Sequence, residues 1–325
     1  MQKVSIGTLE TSRIGLGAMS MSDYYTGARS DDAEARRTVR RALDLGMGFI
    51  DTAEIYGPFV NEELVGEAVR GRRSEAVIAT KFGLVSHAGA GADTIDSSPA
   101  NVRAAVEGSL RRLGTDYIDL LFQHRVDPDT PIEDTVGAMA ELVAEGKVRA
   151  IGLSEAGLDT VRRAHAVHPL AALQIEYSIW TREPTETLLP ALRALGIGVV
   201  AYSPLGRGFL TGAIRSREVL DEKDFRLSTP RFRDGNFEEN LKFADEVAAV
   251  AAEIEATPAQ VALAWILAKG DDIVPIPGTK RVARVTENAA AASIALSADH
   301  VRRLDLISPP AGERYAAGDL SRTGI

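Results

Sequence analysis

FIDTAEIYG (residues 49–57), VIATKFG (77–83) and YIDLLFQHRVD (117–127) each run a short apolar stretch straight into residues that carry chemistry. In a parallel barrel the loops after the strands form the catalytic face, so Asp51, Tyr56, Lys81 and His124 fall where strands should end. Together they supply an acid, a cation to tune it, an anion to anchor that cation and an imidazole to orient a carbonyl oxygen. A phenol with its ordinary pKa near ~10 is a poor acid at neutral pH. The expectation is therefore that Lys81 lowers the pKa of Tyr56, with Asp51 keeping the buried ammonium charged. The reading is carbonyl chemistry on a barrel.

Outward from these three strings the same unit repeats. Helical patterns at Asp31 to Leu45, Asn61 to Arg70, Ser98 to Leu113 and Ile132 to Glu145 each lead to a strand, in turn FID, AVIAT, YIDLLF and VRAIGLS. Leu158 to Val167 leads to LAALQIEYS, Thr185 to Leu195 to IGVVAYS, and Ala259 to Ala268 to DIVPIP. With a first strand near Ile14 to Gly17, strand–helix alternation predicts an α/β fold, a (β/α)8 TIM barrel. The opening KVSIGTLETSRIGLG predicts a β-hairpin that plugs one end. Ser98 before Pro99 and Thr257 before Pro258 mark helix starts. Glycines such as Gly114 and Gly146 mark helix ends. Extended loops are expected at the catalytic face, Leu84 to Ser97 and Gly206 to Asn236. The tail from Pro309 to Ile325 either folds over the pocket or hangs free.

Bulk properties agree with one barrel domain over residues 1–325. Length alone suggests about two domains, but parallel barrels commonly reach this size as one. Lys plus Arg (37) against Asp plus Glu (46) gives a formal charge of −9, which opposes non-specific binding to nucleic acid or anionic lipid. The absence of cysteine excludes disulfides, thiolate catalysis and Cys-ligated metal centres. No basic leader opens the chain and no run approaches the ~20 apolar residues that span a bilayer, so a cytoplasmic location is expected.

Beyond the tetrad, GLGAMSMS, TKFG, LFQHRVDP, IGLSEAG, LQIEYS, AYSPLGRGFLTG and IPGTKRVARVTEN occur in an order that resembles the aldo-keto reductase superfamily. The similarity runs from about Ser5 to Leu306. It is nearest to the prokaryotic and plant branch of pyridoxal reductase-like and auxin-induced-like reductases. The resemblance implies a metal-independent oxidoreductase that reduces an aldehyde or ketone with NADPH, Tyr56 being the general acid. It also implies cofactor contacts. Tyr202 stacks on the nicotinamide, Ser154 and Gln174 bond its carboxamide, and Ser203, Leu205 and Arg207 approach the pyrophosphate. Gly278, Thr279 and Lys280 are expected to open a helix toward phosphate, with Arg284 on the same face completing a clamp on the 2′-phosphate. Glu287 and Asn288 correspond to adenine contacts.

One position departs from many relatives: Ser154-Glu155 stands where they carry Ser-Asn, and an ionised glutamate accepts hydrogen bonds only. Glu155 is therefore left out of the expected cofactor set. Met19, Tyr24, Tyr25 and Trp180 are substrate-pocket candidates or packing residues in equal measure. The Gly15-Leu-Gly17 string is too short for a dinucleotide-binding fingerprint, and His165 with His168 lacks a third metal ligand. Two functions stand at this stage, a carbonyl reductase and an NADPH-binding redox-sensing or regulatory module with slow turnover. The physiological carbonyl and the oligomeric state are not legible in the sequence.

Overall fold

The computed structural model describes residues 1–22, 25, 31–87, 94–320 and 323–324. The chain opens with a hairpin, β1 (Lys3–Ile6) and β2 (Leu9–Ser12). Strands then alternate with helices: β3 (Leu16–Gly17), α1 (Asp32–Asp44), β4 (Phe49–Asp51), α2 (Val60–Val69), β5 (Val77–Phe82), α3 (Pro99–Leu113) and β6 (Ile118–Gln123). Next come α4 (Ile132–Ala144), β7 (Val148–Ser154), α5 (Leu158–Val167), β8 (Ala172–Glu176), α6 (Glu183–Ala194) and β9 (Gly198–Tyr202). The remainder is α7 (Asn236–Glu253), α8 (Pro258–Leu267), β10 (Ile273–Pro275), α9 (Val282–Ala290), α10 (Ala298–Asp305) and a short α11 (Ala317–Leu320).

Strands β3 to β10 form one eight-stranded sheet in sequential order, every pairing parallel. It closes on itself where Gly15 N donates to Pro275 O (2.9 Å) and Gly17 bridges Gly278 in parallel. The glycine is needed there because a Cβ on Gly17 would lie 2.9 Å from Ile276 O. The fold is thus a (β/α)8 barrel, and the hairpin stops one end.

Two separate cores explain the placement of the site. Phe49, Ala79, Leu120, Phe122, Ala150, Ala172, Val200 and Val274 fill the barrel interior together with Val4 and Ile6 of the hairpin. Ile50, Ile78, Leu121, Ile151, Leu173 and Val199 point the other way, into the larger core beneath the helices. Side chains alternate along a strand, so the inward set continues at even steps. From Phe49 the next inward residue is Asp51, from Ala79 it is Lys81, and from Phe122 it is His124. The same count takes Ala150 through Gly152 to Ser154, Ala172 to Gln174 and Val200 to Tyr202. The apolar layers below dictate which polar residues crown the barrel.

Local signals act as expected. Ser98 accepts from Asn101 N ahead of Pro99, and Thr257 with Gln260 forms a capping box ahead of Pro258. Gly114 ends α3 at φ 62°, where a side chain would be strained.

The segment Gly206 to Asn236 is not a bare loop. It contains short 3₁₀ turns at Gly206–Thr211, Arg217–Val219, Phe225–Ser228 and Pro230–Phe232, and it leads into the 18-residue α7, which the periodicity did not single out. Its anchor is aromatic: Phe209, Phe232, Phe237 and Phe243 are buried around Trp180. Burying several rings, at about 1.5–3 kcal/mol each, pins a segment whose backbone lacks long ladders.

Candidate active site

At the carboxyl ends of β4 and β5 the Lys81 ammonium, fully buried, donates to Asp51 Oδ1 at 2.6 Å and to Thr52 O at 2.7 Å. Its third contact is the Tyr56 hydroxyl oxygen at 3.2 Å. The ammonium is thereby saturated, and because the phenol oxygen accepts from Lys81, its own proton is left to point elsewhere. The second oxygen of Asp51 accepts from Gln174 Nε2 at 2.8 Å, across the barrel mouth. The His124 ring meets that of Tyr56 edge-on, with centroids 6.0 Å apart at 84°. All four tetrad residues therefore converge on one point.

The loop that carries Tyr56 is held at both ends. Thr52 donates to Asn61 Oδ1 (2.6 Å), and Asn61 Nδ2 donates to Ala18 O and to Ser22. Between them Glu54 is buried, accepting from Gly83 N at 3.2 Å and facing His87 at 2.9 Å; burial raises its pKa. Phe59 sits at φ 72°, an unusual angle for a bulky residue, with its N–H on Glu54 O. The loop is over-determined, so the phenol is placed by its surroundings.

The electrostatics correct one expectation. Burial, reinforced by the charge of Asp51, pushes the Tyr56 phenol well above its ordinary range. The lysine does not reverse this, because its charge is already neutralised by Asp51 at closer range, and its own pKa is lowered by burial. A phenol beside a neutral pair keeps its proton. Lys81 is then positioned to stabilise the phenolate once that proton has left.

Burial, with the charges of Arg125 and Lys81 next in order, lowers the pKa of His124 well below its ordinary value, so the ring is neutral. Its Nδ1 is buried with no hydrogen-bond partner among the described residues. The unfolded chain binds a proton on this histidine near pH ~6.5 while the folded chain does not. The stability it contributes is present above that pH and is lost as the pH falls toward the folded value. Urea midpoints should accordingly decline from pH 7 to pH 5, and His124→Asn should flatten that decline; an unaltered slope would show that this ring does not drive it.

The cofactor candidates are placed less uniformly. Ser154 accepts from Arg125 Nη1 at 3.3 Å, and Gln174 has committed one amide hydrogen to Asp51. Half-buried Tyr202 donates to Glu155 Oε1 at 2.9 Å and meets the Tyr315 hydroxyl at 3.0 Å. Ser203 and Arg207 adopt positive φ (49° and 57°), and Leu205 caps the turn Gly206–Thr211. The Arg207 guanidinium lies 3.7 Å from Glu176 and 4.6 Å from the Tyr315 ring centroid.

Gly278 closes the barrel seam, and Thr279 accepts from Arg281 N. Helix α9 begins only at Val282, with Arg281 as its cap, so Lys280 precedes the helix and does not share a helical face with Arg284. Thr279 takes the turn instead, and its side chain fixes the cap residue's amide. Arg284 is exposed, Glu287 half-buried and Asn288 buried. An anion is already accommodated at this helix start, since Glu34 Oε1 accepts from Val282 N at 3.1 Å. With that amide taken, Lys280, Arg281 and Arg284 supply the positive charge that fits a phosphorylated cofactor.

Among the pocket candidates, Met19 lies in the turn after β3 and is partly exposed. Tyr25 packs edge-on against Phe225, with centroids 5.9 Å apart. Trp180 stacks on Phe209 at 4.4 Å in the aromatic cluster and is buried, so packing is its observed role. Tyr24 lies outside the described residues.

Residues left out of the expected site also reach the mouth. Glu155, at φ 54°, takes a bidentate ion pair from Arg314 (2.9 and 2.6 Å) and accepts from Glu176 N. Its backbone oxygen accepts from Gly324 N. The tail therefore folds over the barrel, and the glutamate that departs from Ser-Asn is its anchor. No local signal joins residues 159 positions apart. Arg125 was legible only as the neighbour of His124.

Comparison with known proteins agrees with this fold. The glycerol dehydrogenase AKR11B4 from Gluconobacter oxydans superposes with a TM-score of 0.84 at 31% identity, over 93% of this chain and 94% of that one. An aldo/keto reductase from Klebsiella pneumoniae, in complex with NADP and acetate, gives 0.75 at 29% identity over 97% and 99%. The holo form of aldo-keto reductase AKR11C1 from Bacillus halodurans gives 0.74 at 29% over 96% and 98%. The model of the aldo/keto reductase family matches residues 13–309. With its barrel, its converging tetrad and a family match over nearly the whole length, this chain belongs to the aldo/keto reductase family.

Proposed function

We propose that this oxidoreductase reduces an aldehyde or ketone to the alcohol with NADPH, Tyr56 acting as the general acid. One observation carries the reading: a buried ammonium bound to both Asp51 and the phenol oxygen, with the phenol's proton free for a ligand. Bound NADPH supplies the hydride that the carbonyl carbon receives. Tyr56 gives its proton to the carbonyl oxygen, and Lys81 donates to the phenolate that results. His124, kept neutral by burial, donates a hydrogen bond that orients that oxygen. Solvent returns the proton to Tyr56.

Tyr202, Ser154 and Gln174 are the residues proposed to hold the nicotinamide, and Ser203, Leu205 and Arg207 the pyrophosphate. Gly278, Thr279, Lys280 and Arg284 take the 2′-phosphate, with Glu287 and Asn288 at the adenine. The strings IGLSEAG and LFQHRVDP support a place in the pyridoxal reductase-like branch. Loss of NADPH absorbance with a panel of aldehydes and ketones tests the activity. Failure to oxidise NADPH with any reactive carbonyl would favour a redox-sensing module instead.

The double replacement Lys280→Ala, Arg284→Ala should weaken NADPH at least tenfold and NADH far less, since only NADPH carries the extra phosphate. Fluorescence titration of both cofactors checks this. Equal losses would remove the two cations from that role.

A further inference from the structure

At the barrel mouth three cations pair with carboxylates, while Arg231 rests on Trp180 O, Thr181 Oγ1 and Gly312 O. Lys81 pairs with Asp51 at 2.6 Å, Arg314 with Glu155 at 2.6 Å and Arg207 with Glu176 at 3.7 Å. Arg125 has no such partner: among the described residues no carboxylate lies within 4.0 Å of its guanidinium. Its Nη1 donates to His124 O (2.7 Å) and to Ser154 Oγ (3.3 Å), while Nε and Nη2 make no hydrogen bond to described residues. The side chain is only partly exposed.

A guanidinium held by one nitrogen offers the rest of its planar fork to an oxyanion. Leaving such a charge half-buried without a counter-ion is unfavourable, and an incoming carboxylate or phosphate relieves that cost. The position is also telling. Arg125 directly follows His124, and its Nη1 reaches Ser154 Oγ at the inward-facing end of β7, so the guanidinium lies at the barrel mouth beside the reacting centre.

We infer that Arg125 is a specificity-determining residue that receives an anionic group of the substrate, so that the preferred carbonyl compounds carry a carboxylate or phosphate a few bonds from the carbonyl. The inference rests on the carbonyl reduction proposed above. Of the nearby carboxylates, Glu155 is held by Arg314 in a bidentate pair and Glu176 faces Arg207 at 3.7 Å. Neutral aldehydes would leave the fork unfilled and bind more weakly.

The test uses matched pairs at saturating NADPH, 4-formylbenzoate against 4-methylbenzaldehyde and glyceraldehyde 3-phosphate against glyceraldehyde. The wild-type enzyme should favour the anionic member of at least one pair in kcat/KM by about tenfold or more, the usual scale for a charge-assisted contact. Which pair responds tells carboxylate from phosphate. In Arg125→Met that ratio should fall about tenfold, chiefly through KM, and Arg125→Lys should recover part of it. Raising ionic strength should weaken the wild-type KM for the anionic member more than for the neutral one, a readout that needs no variant.

Calorimetric binding of benzoate and of inorganic phosphate separates this inference from the activity itself. Weaker binding in Arg125→Met with no turnover of any aldehyde would overturn the reductase reading and leave the anion site standing. Active enzyme whose anionic-to-neutral ratio is the same in wild type and Arg125→Met, or equal benzoate and phosphate affinity in both, would overturn the role of Arg125.

Discussion

Phenylalanine in place of Tyr56 should lower kcat for carbonyl reduction by ~100-fold or more, the scale of a lost general acid, while NADPH affinity stays within about twofold. The ring that packs against His124 is retained, and only the oxygen bonded by Lys81 is removed. The loop keeps its shape because Thr52, Glu54 and Asn61 hold it independently of the hydroxyl. Steady-state rates and fluorescence titration of the same preparation give both numbers. Full turnover by Tyr56→Phe would mean that the proton comes from another group. Because burial keeps the phenol protonated far above neutrality, the reduction rate of the wild type should also show no loss of this acid between pH 6 and pH 9.

Methionine at position 81 should do harm of two kinds. Asp51 would lose the ammonium at 2.6 Å and retain Gln174 as its remaining side-chain donor, inside a site where both residues are buried. Removing one member of a buried ion pair costs about 3–5 kcal/mol, and the activity should fall at least as far as in Tyr56→Phe because the phenolate loses its donor. Urea denaturation measures the first effect and kcat the second. The double variant Asp51→Asn, Lys81→Met should be more stable than the sum of the single changes, since it leaves no unpaired buried charge. Strict additivity would show that the two charges are not coupled in the folded protein.

Both experiments probe residues that were legible before any coordinates. The reason is the period of two along a barrel strand. Once Phe49, Ala79 and Phe122 are taken as interior, Asp51, Lys81 and His124 must face the same axis, and apolar strands followed by helices leave a barrel as the simplest closed arrangement. Helix limits were legible for a similar reason, because Ser98-Pro99, Thr257-Pro258 and Gly114 act through their own backbone. The long segment after β9 was not. Its phenylalanines are scattered without period, and only their meeting around Trp180 makes it a structured element.

What the sequence determined alone, then, is whatever depends on neighbours along the chain: the repeat of strand and helix, the inward parity of Asp51, Lys81 and His124 and the family of the protein. Tertiary structure decided the electrostatic state of those residues and the contacts that cross the chain. The Tyr56 phenol is shifted upward where a lowered pKa was expected, because burial and a neutralised lysine outweigh a charge that proximity in sequence cannot weigh. Glu155 anchors the tail through Arg314, and Arg125 has no carboxylate within 4.0 Å among the described residues, because solvent exclusion and pairing are set by which distant groups arrive at the same place.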